Sequence, residues 1–276
     1  MSGQRSVLIT GCSAGIGRHV AEGLRQSGYR VFATARRYND VEELSSLGFE
    51  ALQLDLASSA SIFHAFCAVM DKTGNELYAL FNNGAYGQPG AVEDLGRDTL
   101  REQFETNLFG THELTTLAIP VMRRQGYGRI IQNSSLLGYV ALKYRGAYIA
   151  SKYALEGLTD TLRLELAGTG IFISLIEPGP IQSNFRRNAW HAFRASIDVS
   201  RSHHSRTYTA LADRLQKEGP VVPFTLGPEA VLKCVIHALE SDRPRVRYRV
   251  TFPAHLFALL KRILPDRLMD RILARI

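Results

Sequence analysis

The sequence predicts one α/β domain over residues 1–276, in which helices cover both faces of a doubly wound parallel sheet and a helical extension follows at the C-terminus. Short apolar runs alternate with longer helical patterns through the first 180 residues, which is typical of βαβ units. A glycine-rich turn separates the first run from the first helical pattern. A hydrophobic fraction of 45% with 21% charged residues is that of a globular protein with a sizeable core.

Six short runs have the composition expected of strands that are buried on both faces of a sheet. They span residues 7–10, 30–34, 51–54, 78–81, 129–132 and 172–176. Between them, helices are predicted over residues 15–27, 60–72, 100–124 and 147–166. Strands joined by crossover helices in this way predict a Rossmann-type fold.

The character of the sequence changes after Pro180. Residues 183–226 begin with an arginine-rich stretch that carries isolated aromatic residues, and we expect them to form a mobile lid over a ligand site. A helix at 228–239 and a strand at 245–250 follow. That strand alternates Arg245, Arg247 and Arg249 with apolar residues, so its arginine face is expected to be solvated.

The net charge of +7 raises the question of nucleic-acid binding. Residues 243–276 carry nine Arg or Lys and two Asp, so the whole excess lies there and residues 1–242 are neutral overall. A nucleic-acid protein spreads its basic residues over a reading surface with interleaved aromatic residues. The concentration of charge in the tail therefore argues against a nucleic-acid partner.

The three cysteines, Cys12, Cys67 and Cys234, are too widely spaced for a disulfide framework or a zinc site, and no metal site is predicted. No apolar run approaches the ~18 residues of a membrane span. The first apolar segment is too short for a signal peptide and runs directly into the glycine turn. We therefore expect a cytoplasmic protein.

The glycine turn, residues 10–17, reads Thr-Gly-Cys-Ser-Ala-Gly-Ile-Gly between the first strand and the first helix. Glycines at this place let the backbone approach a pyrophosphate, which then lies on the N–H groups of the new helix. A plain βα turn is the alternative. The residues predicted to hold a cofactor here are Gly11, Ser13, Gly15, Ile16 and Gly17.

The end of the second strand indicates which dinucleotide would bind. Folds that bind NAD place an acidic residue there for the ribose 2′-hydroxyl, whereas this chain has Arg36 and Arg37 and no acid until Asp40. A guanidinium at that position can pair with a 2′-phosphate, so NADP(H) is the predicted cofactor. Asp55, after the third strand, is placed to accept a hydrogen bond from the adenine amino group.

Reduction of a carbonyl requires a proton donor, and Tyr148 with Lys152 one helical turn later is the candidate pair. A lysine at i+4 on the same helix face should favour the phenolate and lower the tyrosine pKa. Tyr139 and Lys143 have the same spacing, but they precede a predicted loop, whereas Tyr148 opens a long amphipathic helix. The later pair is therefore preferred.

In these residues the chain resembles the short-chain dehydrogenases/reductases over residues 5–185. The resemblance rests on the turn at 10–17, Asp55-Leu56, Asn107, Ser134-Ser135-x-x-Gly138, Tyr148-x-x-x-Lys152 and Pro178-Gly179-x-x-x-Ser183. Within the family, the chain is similar to bacterial NADP-dependent aldehyde reductases related to the 17β-hydroxysteroid and retinol dehydrogenases. That likeness includes the stretch FTLGPEAV and the run LKRILPDRLMDRIL near the C-terminus.

The resemblance implies a catalytic set of Asn107, Ser135, Tyr148 and Lys152. Tyr148 would be the general acid/base, Lys152 would hold the nicotinamide ribose, Ser135 would bind the substrate oxygen, and Asn107 would anchor a water in a proton relay. Further residues implied to contact the cofactor are Leu56, Asn82, Gly84, Pro178, Gly179, Ile181 and Ser183. The resemblance also implies a homodimer or homotetramer packed through the helices at 100–124 and 147–167.

Two positions depart from the family pattern. The family sequence Asn-Asn-Ala-Gly appears here as Asn82-Asn83-Gly84-Ala85, which places a Cβ where the backbone would approach the adenosine ribose. The family threonine after Pro-Gly is Ser183, which keeps the hydroxyl. The first departure bears on the geometry of the cofactor site.

Position along the chain predicts an apolar substrate pocket above Ser135 and Tyr148. Its predicted lining is Leu137, Tyr139 or Val140, Pro180, Phe185 and Trp190. An apolar lining favours a lipophilic aldehyde or ketone. The leading hypothesis is thus an NADP(H)-dependent carbonyl reductase, and the alternative is a non-catalytic NADP(H)-binding regulator. An epimerase or dehydratase would need further acid/base groups near Tyr148, and none is identified.

The tail, residues 252–276, consists of two predicted amphipathic helices divided by Pro265. Each carries apolar residues on one face and basic residues on the others. The apolar stripes could dock on the protein with the arginine heads in water. Alternatively, the stripes contact an anionic membrane surface or a partner protein.

Overall fold

The computed structural model describes residues 4–217, 219 and 221–276. Its centre is a seven-stranded sheet in the order β3-β2-β1-β4-β5-β6-β7, and every neighbouring pair is parallel. The strands are β1 Ser6–Ile9, β2 Arg30–Ala35, β3 Glu50–Gln53, β4 Ala79–Asn82, β5 Gly128–Asn133, β6 Ile171–Glu177 and β7 Arg247–Arg249. The strand order reverses between β1 and β4, so the carboxyl ends of these two strands border the crevice where ligands bind in such sheets.

The described residues also form eleven α-helices. They are α1 Gly15–Gln26, α2 Tyr38–Ser46, α3 Ser59–Thr73, α4 Arg97–Phe104, α5 Gly110–Gln125, α6 Gly146–Glu165, α7 Phe185–Ser196, α8 Ser205–Gln216, α9 Glu229–Glu240, α10 Phe252–Ile263 and α11 Asp266–Leu273. Short 3₁₀ turns lie at Val92–Asp94, Leu136–Gly138 and Val199–Arg201. The predicted doubly wound α/β fold is confirmed.

One predicted helix differs from the observed one. The pattern at 100–124 is divided into α4 and α5 by a π-helical turn, Glu105–Phe109. Such a turn inserts one extra residue into the helix and often marks a functional site. Asn107 lies in the middle of it and is buried.

Alternating strand residues supply two apolar cores, one on each face of the sheet. Val7 and Ile9 pack with residues of α1 and α9 on one face, whereas Leu8 packs with residues of α3 and α5 on the other. Each strand of the sheet centre is therefore buried on both sides, as the continuous apolar runs predicted.

The segment predicted as a mobile lid contains a packed core of its own. Two helices, α7 and α8, enclose Phe193, Ile197 and Tyr208 against Ala91. The Tyr208 hydroxyl accepts a hydrogen bond from the backbone N–H of Ala91 at 2.8 Å and donates to Asp94. The polar composition of this stretch did not indicate this aromatic cluster, which packs the two helices against the rest of the chain.

The arginine face that was predicted to be solvated is so only in part. Arg245 is exposed, whereas Arg247 and Arg249 are half-buried and paired with carboxylates. The side chain of Glu177, at the end of β6, is 1% exposed and lies 2.9 Å from Nε of Arg247 and 3.2 Å from Nε of Arg249. Arg247 also reaches Glu156 at 3.1 Å and Asp160 at 2.7 Å, both on α6. A nearly buried carboxylate requires charged partners, and these arginines supply them.

The tail lies beside the 3₁₀ turn at Leu136–Gly138, but its apolar stripe does not dock there. Ala254 and Ala258 are the buried residues of α10, while Leu256, Leu259 and Ile263 are exposed. The expectation that the stripe packs on the protein is therefore wrong for these three residues, whereas Leu260 and Leu264 of the same predicted face are half-buried. Within the described residues, no helix is long and apolar enough to cross a membrane.

Candidate active site

The glycine turn is fastened to the end of β4 by side-chain hydrogen bonds. The Thr10 hydroxyl accepts from the backbone N–H groups of Asn83 and Gly84, at 2.9 and 2.8 Å. The Asn83 amide donates to the carbonyls of Thr10 and Gly11 at 2.9 and 3.1 Å. These bonds hold the turn at the point where the strand order reverses.

Space at the turn explains its glycines. Gly11 has φ +72°, and a Cβ there would lie 2.8 Å from Gly84 Cα. A Cβ on Gly17 would lie 2.2 Å from the carbonyl oxygen of Gly11. Gly15 has φ +60° and faces Ser183 across the crevice. A Cβ on Gly15 would lie 3.0 Å from the Cβ of Ser183. Side chains on Gly11 and Gly17 would clash with the packing of the turn itself, and a side chain on Gly15 would narrow the crevice where a phosphate can approach the backbone.

Ser13 is exposed at the surface of the turn, and Ile16 packs on the first core. The Ser13 side chain can therefore contact a phosphate. The Ile16 side chain packs in the core, so only the backbone of Ile16 can contact a ligand.

Arg36 and Arg37 follow β2 and are both exposed. Among the residues that the structure describes, neither forms a salt bridge with a carboxylate. Asp55 is half-buried, with Oδ1 accepting from the backbone N–H of Ala57 at 3.0 Å. Two guanidiniums without carboxylate partners, next to a glycine cradle, fit the anionic groups of a dinucleotide.

The exchanged pair Gly84-Ala85 has a local consequence. A Cβ on Gly84 would lie 2.9 Å from Cδ1 of Leu56 and 3.3 Å from the Thr10 hydroxyl. Leu56 is buried and fills the space that an alanine at position 84 would use. Glycine at position 84, where the family has alanine, therefore makes room for the Leu56 side chain.

The side chain of Asn82 is bound by a neighbouring helix, and its role as a cofactor contact stays a prediction. Its side chain is buried and donates to the Thr115 hydroxyl at 2.8 Å, on the α5 side of the sheet. Asn83, which sequence reasoning did not select, instead holds the glycine turn. Successive strand residues point to opposite faces, so only one of two adjacent asparagines can reach the crevice.

Asn107 is locked in place by protein groups. Its Oδ1 accepts from the backbone N–H of Tyr86 at 3.1 Å, and its Nδ2 donates to the Tyr86 carbonyl at 2.9 Å and to the Ser151 hydroxyl at 3.2 Å. Both ends of the amide are occupied. A water held by Asn107 would therefore bind to its backbone carbonyl in the π-helical turn rather than to its side chain.

Ser135 and Tyr148 meet at the carboxyl end of β5. Ser135 begins the 3₁₀ turn, and its hydroxyl accepts from the backbone N–H of Leu137 at 3.1 Å. Burial raises the pKa of Tyr148 to about 12, and a hydrogen bond from Ser135 opposes this rise. The phenol is consequently protonated at neutral pH, as a proton donor to a carbonyl oxygen must be.

Lys152 lies one turn further along α6. Its Nζ donates to the carbonyl of Asn133 at 2.7 Å and lies 5.8 Å from the centre of the Tyr148 ring. Burial lowers the pKa of Lys152 to about 8, with Glu156 opposing the shift. Burial is the largest influence on the pKa of Tyr148, and the predicted lowering of that pKa by Lys152 stays a prediction.

Asn133 connects the catalytic lysine with the glycine turn. Its carbonyl binds Lys152, and its side-chain amide donates to Oδ1 of Asn83 at 2.9 Å. Asn83 in turn holds Gly11. The bond to Lys152 uses a main-chain carbonyl, which every residue has, so the sequence carries no signal for this contact.

The loop after β6 closes the site from the other side. The Pro178 carbonyl accepts from the backbone N–H of Leu136 at 2.8 Å, next to Ser135. A Cβ on Gly179 would lie 2.1 Å from the Thr251 hydroxyl at the start of the tail. Ile181 pairs with Leu226 in an isolated parallel bridge, and the exposed Ser183 faces Gly15.

The predicted substrate-lining residues divide into two groups. Phe185 meets the Tyr148 ring edge-on, with the centroids 5.3 Å apart, and Leu137 and Pro180 are half-buried in the turns beside it. Trp190 instead stacks on Phe193 within the lid cluster. The Tyr139 hydroxyl donates to the Ala254 carbonyl of α10 at 2.7 Å, so this side chain binds the tail.

A model of the short chain dehydrogenase family matches residues 5–193. This chain belongs to the short-chain dehydrogenases/reductases. It is therefore an oxidoreductase of a family that binds nicotinamide cofactors, and the site described above lies within the matched residues except for its contacts with Leu226, Thr251 and Ala254.

Characterised and uncharacterised members of this family are similar along most of the chain. An Escherichia coli K12 protein described as the uncharacterized oxidoreductase YbbO is 42% identical over 270 residues, covering 98% of this chain and 94% of that protein. Human retinol dehydrogenase 8 is 32% identical, covering 88% and 80%. Bovine 17-beta-hydroxysteroid dehydrogenase type 6 is 32% identical, covering 98% and 87%.

Solved structures of other short-chain dehydrogenases/reductases share the fold. One from Streptomyces avermitilis superposes with a TM-score of 0.79 at 25% identity, covering 100% of this chain and 98% of that one. One from Burkholderia cenocepacia in complex with NADP gives 0.75 at 22% identity, covering 98% and 97%. One from Burkholderia phymatum in complex with NAD gives 0.79 at 22%, covering 98% and 95%.

Proposed function

We propose that this chain is an NADP(H)-dependent oxidoreductase that interconverts a lipophilic aldehyde or ketone and its alcohol, with Tyr148 as the general acid/base. The observation that carries the proposal is the meeting of Ser135, Tyr148 and Lys152 at the carboxyl end of β5, facing the glycine turn across the crevice. A protein that only bound the dinucleotide would have no use for a buried phenol beside a buried lysine.

The cofactor, when bound, supplies or accepts the hydride. The chain supplies orientation and a proton. Ser135 donates a hydrogen bond to the substrate oxygen, and Tyr148 delivers its proton to that oxygen as negative charge develops there. The ammonium of Lys152, held by the Asn133 carbonyl, stabilises the phenolate that results. Asn107, through its backbone carbonyl, holds a water that returns the proton from solvent.

Arg36 and Arg37 support NADP(H) over NAD(H). Both are exposed at the end of β2, and neither pairs with a carboxylate among the described residues. A dianionic 2′-phosphate offers the bidentate acceptor that a guanidinium matches. Gly11, Gly15, Gly17 and Ser13 hold the pyrophosphate, Asp55 contacts the adenine, and Pro178, Gly179, Ile181 and Ser183 contact the nicotinamide.

Two observations support a lipophilic substrate. The first is that the apolar ring of Phe185 lies against the Tyr148 ring. Relatives that match most of this chain are named for retinol and 17β-hydroxysteroids, which are apolar alcohols. The cytoplasmic location and the homodimer or homotetramer stay predictions.

Initial rates with purified protein test the proposal. NADPH is compared with NADH over aldehydes of increasing chain length, retinal and a 17-ketosteroid. Tyr148→Phe should lower kcat by about two to four orders of magnitude, the usual contribution of a positioned general acid. Tyr139→Phe is the matched control, since it removes a phenol of the same spacing that binds α10, and it should retain turnover.

Three outcomes would contradict the proposal in different places. Tight NADPH binding without turnover of any carbonyl would favour the regulator. Turnover that persists in Tyr148→Phe would contradict the assignment of Tyr148 as the general acid. A preference for NADH would remove the assignment of Arg36 and Arg37.

A further inference from the structure

The helix α10 exposes four of its large apolar side chains, while Phe257 and Leu260 are half-buried. Phe252, Leu256, Leu259 and Ile263 are 56%, 36%, 56% and 66% exposed, and their spacing of four, three and four residues places them on one helix face. We call these four residues the tail stripe. The buried residues of the helix are Ala254 and Ala258, so the protein covers small side chains and leaves the tail stripe exposed.

Hydrogen bonds hold the tail in this orientation. The Tyr139 hydroxyl donates to the Ala254 carbonyl at 2.7 Å, and Nζ of Lys143 donates to the Ala274 carbonyl at 3.2 Å. Thr251 caps the N-terminus of α10, and Met269 of α11 is 3% exposed. Both tail helices are thus fastened to the protein, and the tail stripe faces outward because of that fastening.

The exposed apolar surface continues past the helix. The ring of Phe224 is 5.0 Å from that of Phe252 and is 57% exposed. On α11, Leu268 is 41% exposed. Contiguous exposed apolar surface of this kind marks an interaction site.

Basic side chains surround this surface. Lys261, Arg262, Arg267, Arg271 and Arg275 are all exposed, and among the described residues none of them forms a salt bridge. Asp266 and Asp270 are the acidic residues of the tail, so residues 252–276 have a net charge of +3. The partner should therefore be apolar and rimmed by negative charge.

A second copy of the chain fits this requirement poorly. A two-fold contact through the tail stripe brings the same surface of both copies together, and hence the same cations. Like charges at an interface oppose association. A bilayer with anionic lipids offers both an apolar interior and a negative surface.

We propose that the tail stripe, with Phe224, lies in the interface of an anionic membrane while the basic residues of the tail bind lipid phosphates. The stripe begins next to Thr251, whose hydroxyl contacts Gly179 in the loop that borders the site. The site then opens close to the lipid surface. The proposal does not depend on the substrate, since the contact is made by residues outside the catalytic set.

Sedimentation with vesicles tests the contact. The full chain is mixed with phosphatidylcholine vesicles that contain or lack phosphatidylglycerol. We expect binding at least about tenfold stronger with the anionic lipid, and Leu259→Glu should weaken it by more than about tenfold. Phe63→Glu on α3 is the matched control, because it adds the same charge at a side chain of similar exposure, 54% against 56%.

A second variant separates charge from insertion. Arg267→Gln with Arg271→Gln should lower the preference for anionic vesicles by about fivefold per cation and leave the weak binding to phosphatidylcholine unchanged. Melting temperatures of all variants show that they are folded. Light scattering in the absence of lipid reports the oligomeric state.

Three results would overturn the proposal. The first is no binding of the unaltered chain to anionic vesicles. The second is equal loss of binding in Leu259→Glu and Phe63→Glu. The third is dissociation of an oligomer by Leu259→Glu without any lipid binding, which would assign the tail stripe to contact between copies of the chain.

Discussion

The ring of Phe185 meets the ring of Tyr148 edge-on at 5.3 Å, and the same phenylalanine fills the space above Gly87, where a Cβ would lie 2.7 Å from its ring. Phe185 begins α7 and is 37% exposed, so it lies between the phenol and solvent. Its position contributes to the burial that raises the pKa of Tyr148.

Replacement of Phe185 by alanine should therefore move the Tyr148 pKa down towards that of a free phenol, because water gains access to the hydroxyl. Alcohol oxidation needs the phenolate, so its rate should reach a plateau at lower pH in Phe185→Ala. A pH profile of kcat/KM for oxidation measures this. Trp190→Ala removes an aromatic residue of the same helix that packs on Phe193, and a shift of equal size in that variant would contradict the explanation.

Arg36 and Arg37 should determine affinity for the 2′-phosphate. The double change to alanine is expected to raise the Kd for NADPH by about tenfold to a hundredfold and to leave the Kd for NADH unchanged, since only NADPH carries the phosphate. Titration calorimetry with both dinucleotides measures the effect. Arg97→Ala, at another exposed arginine, should change neither value.

Lys152 should set the alkaline limit of carbonyl reduction. Burial disfavours its ammonium and lowers the pKa to about 8, so the charge that stabilises the phenolate is lost as the pH rises through that value. We expect kcat/KM for reduction to be constant below that pH and to fall above it. Lys152→Arg keeps its charge at every accessible pH and should give a slower enzyme without this decline. A decline of the same midpoint in Lys152→Arg would exclude the lysine as its cause.

Glu177 should be important for stability although it lies outside the catalytic set. Glu177→Gln removes the carboxylate that Arg247 and Arg249 share, while Arg247 keeps Glu156 and Asp160 as partners, so we expect a cost of about 1–3 kcal/mol. Denaturant unfolding gives the free energy. Glu50→Gln, at an ion pair with Arg30 whose side chains are 32% and 34% exposed, should cost less than about 1 kcal/mol. Equal costs at both sites would contradict the burial argument.

The strands and the catalytic helix were predictable because their signals are local. A short apolar run between turn residues indicates a buried strand wherever it occurs, and four-residue spacing places Tyr148 and Lys152 on one face once α6 is assigned. The glycine turn was predictable for the same reason. A positive φ or a close backbone approach requires glycine at one particular position, whatever the rest of the chain does.

The parts that sequence reasoning missed depend on distant partners. The partners of the β7 arginines lie on β6 and α6, so alternation within β7 could not show that they are paired. Asn82 and Asn83 are chemically identical, and only the direction of the strand pleat decides which one holds the glycine turn. The orientation of α10 depends on the fit of Ala254 and Ala258 and on the bond from Tyr139, while the apolar pattern alone favoured the opposite face.

The contact between Gly179 and Thr251 links two segments 72 positions apart in the chain. A Cβ on Gly179 would lie only 2.1 Å from the Thr251 hydroxyl, so a larger residue at position 179 requires a smaller one at position 251. The two positions should therefore change together in descendants of this sequence. A chimera that carries a tail from another member of the family would need to inherit the residue at position 179 along with it.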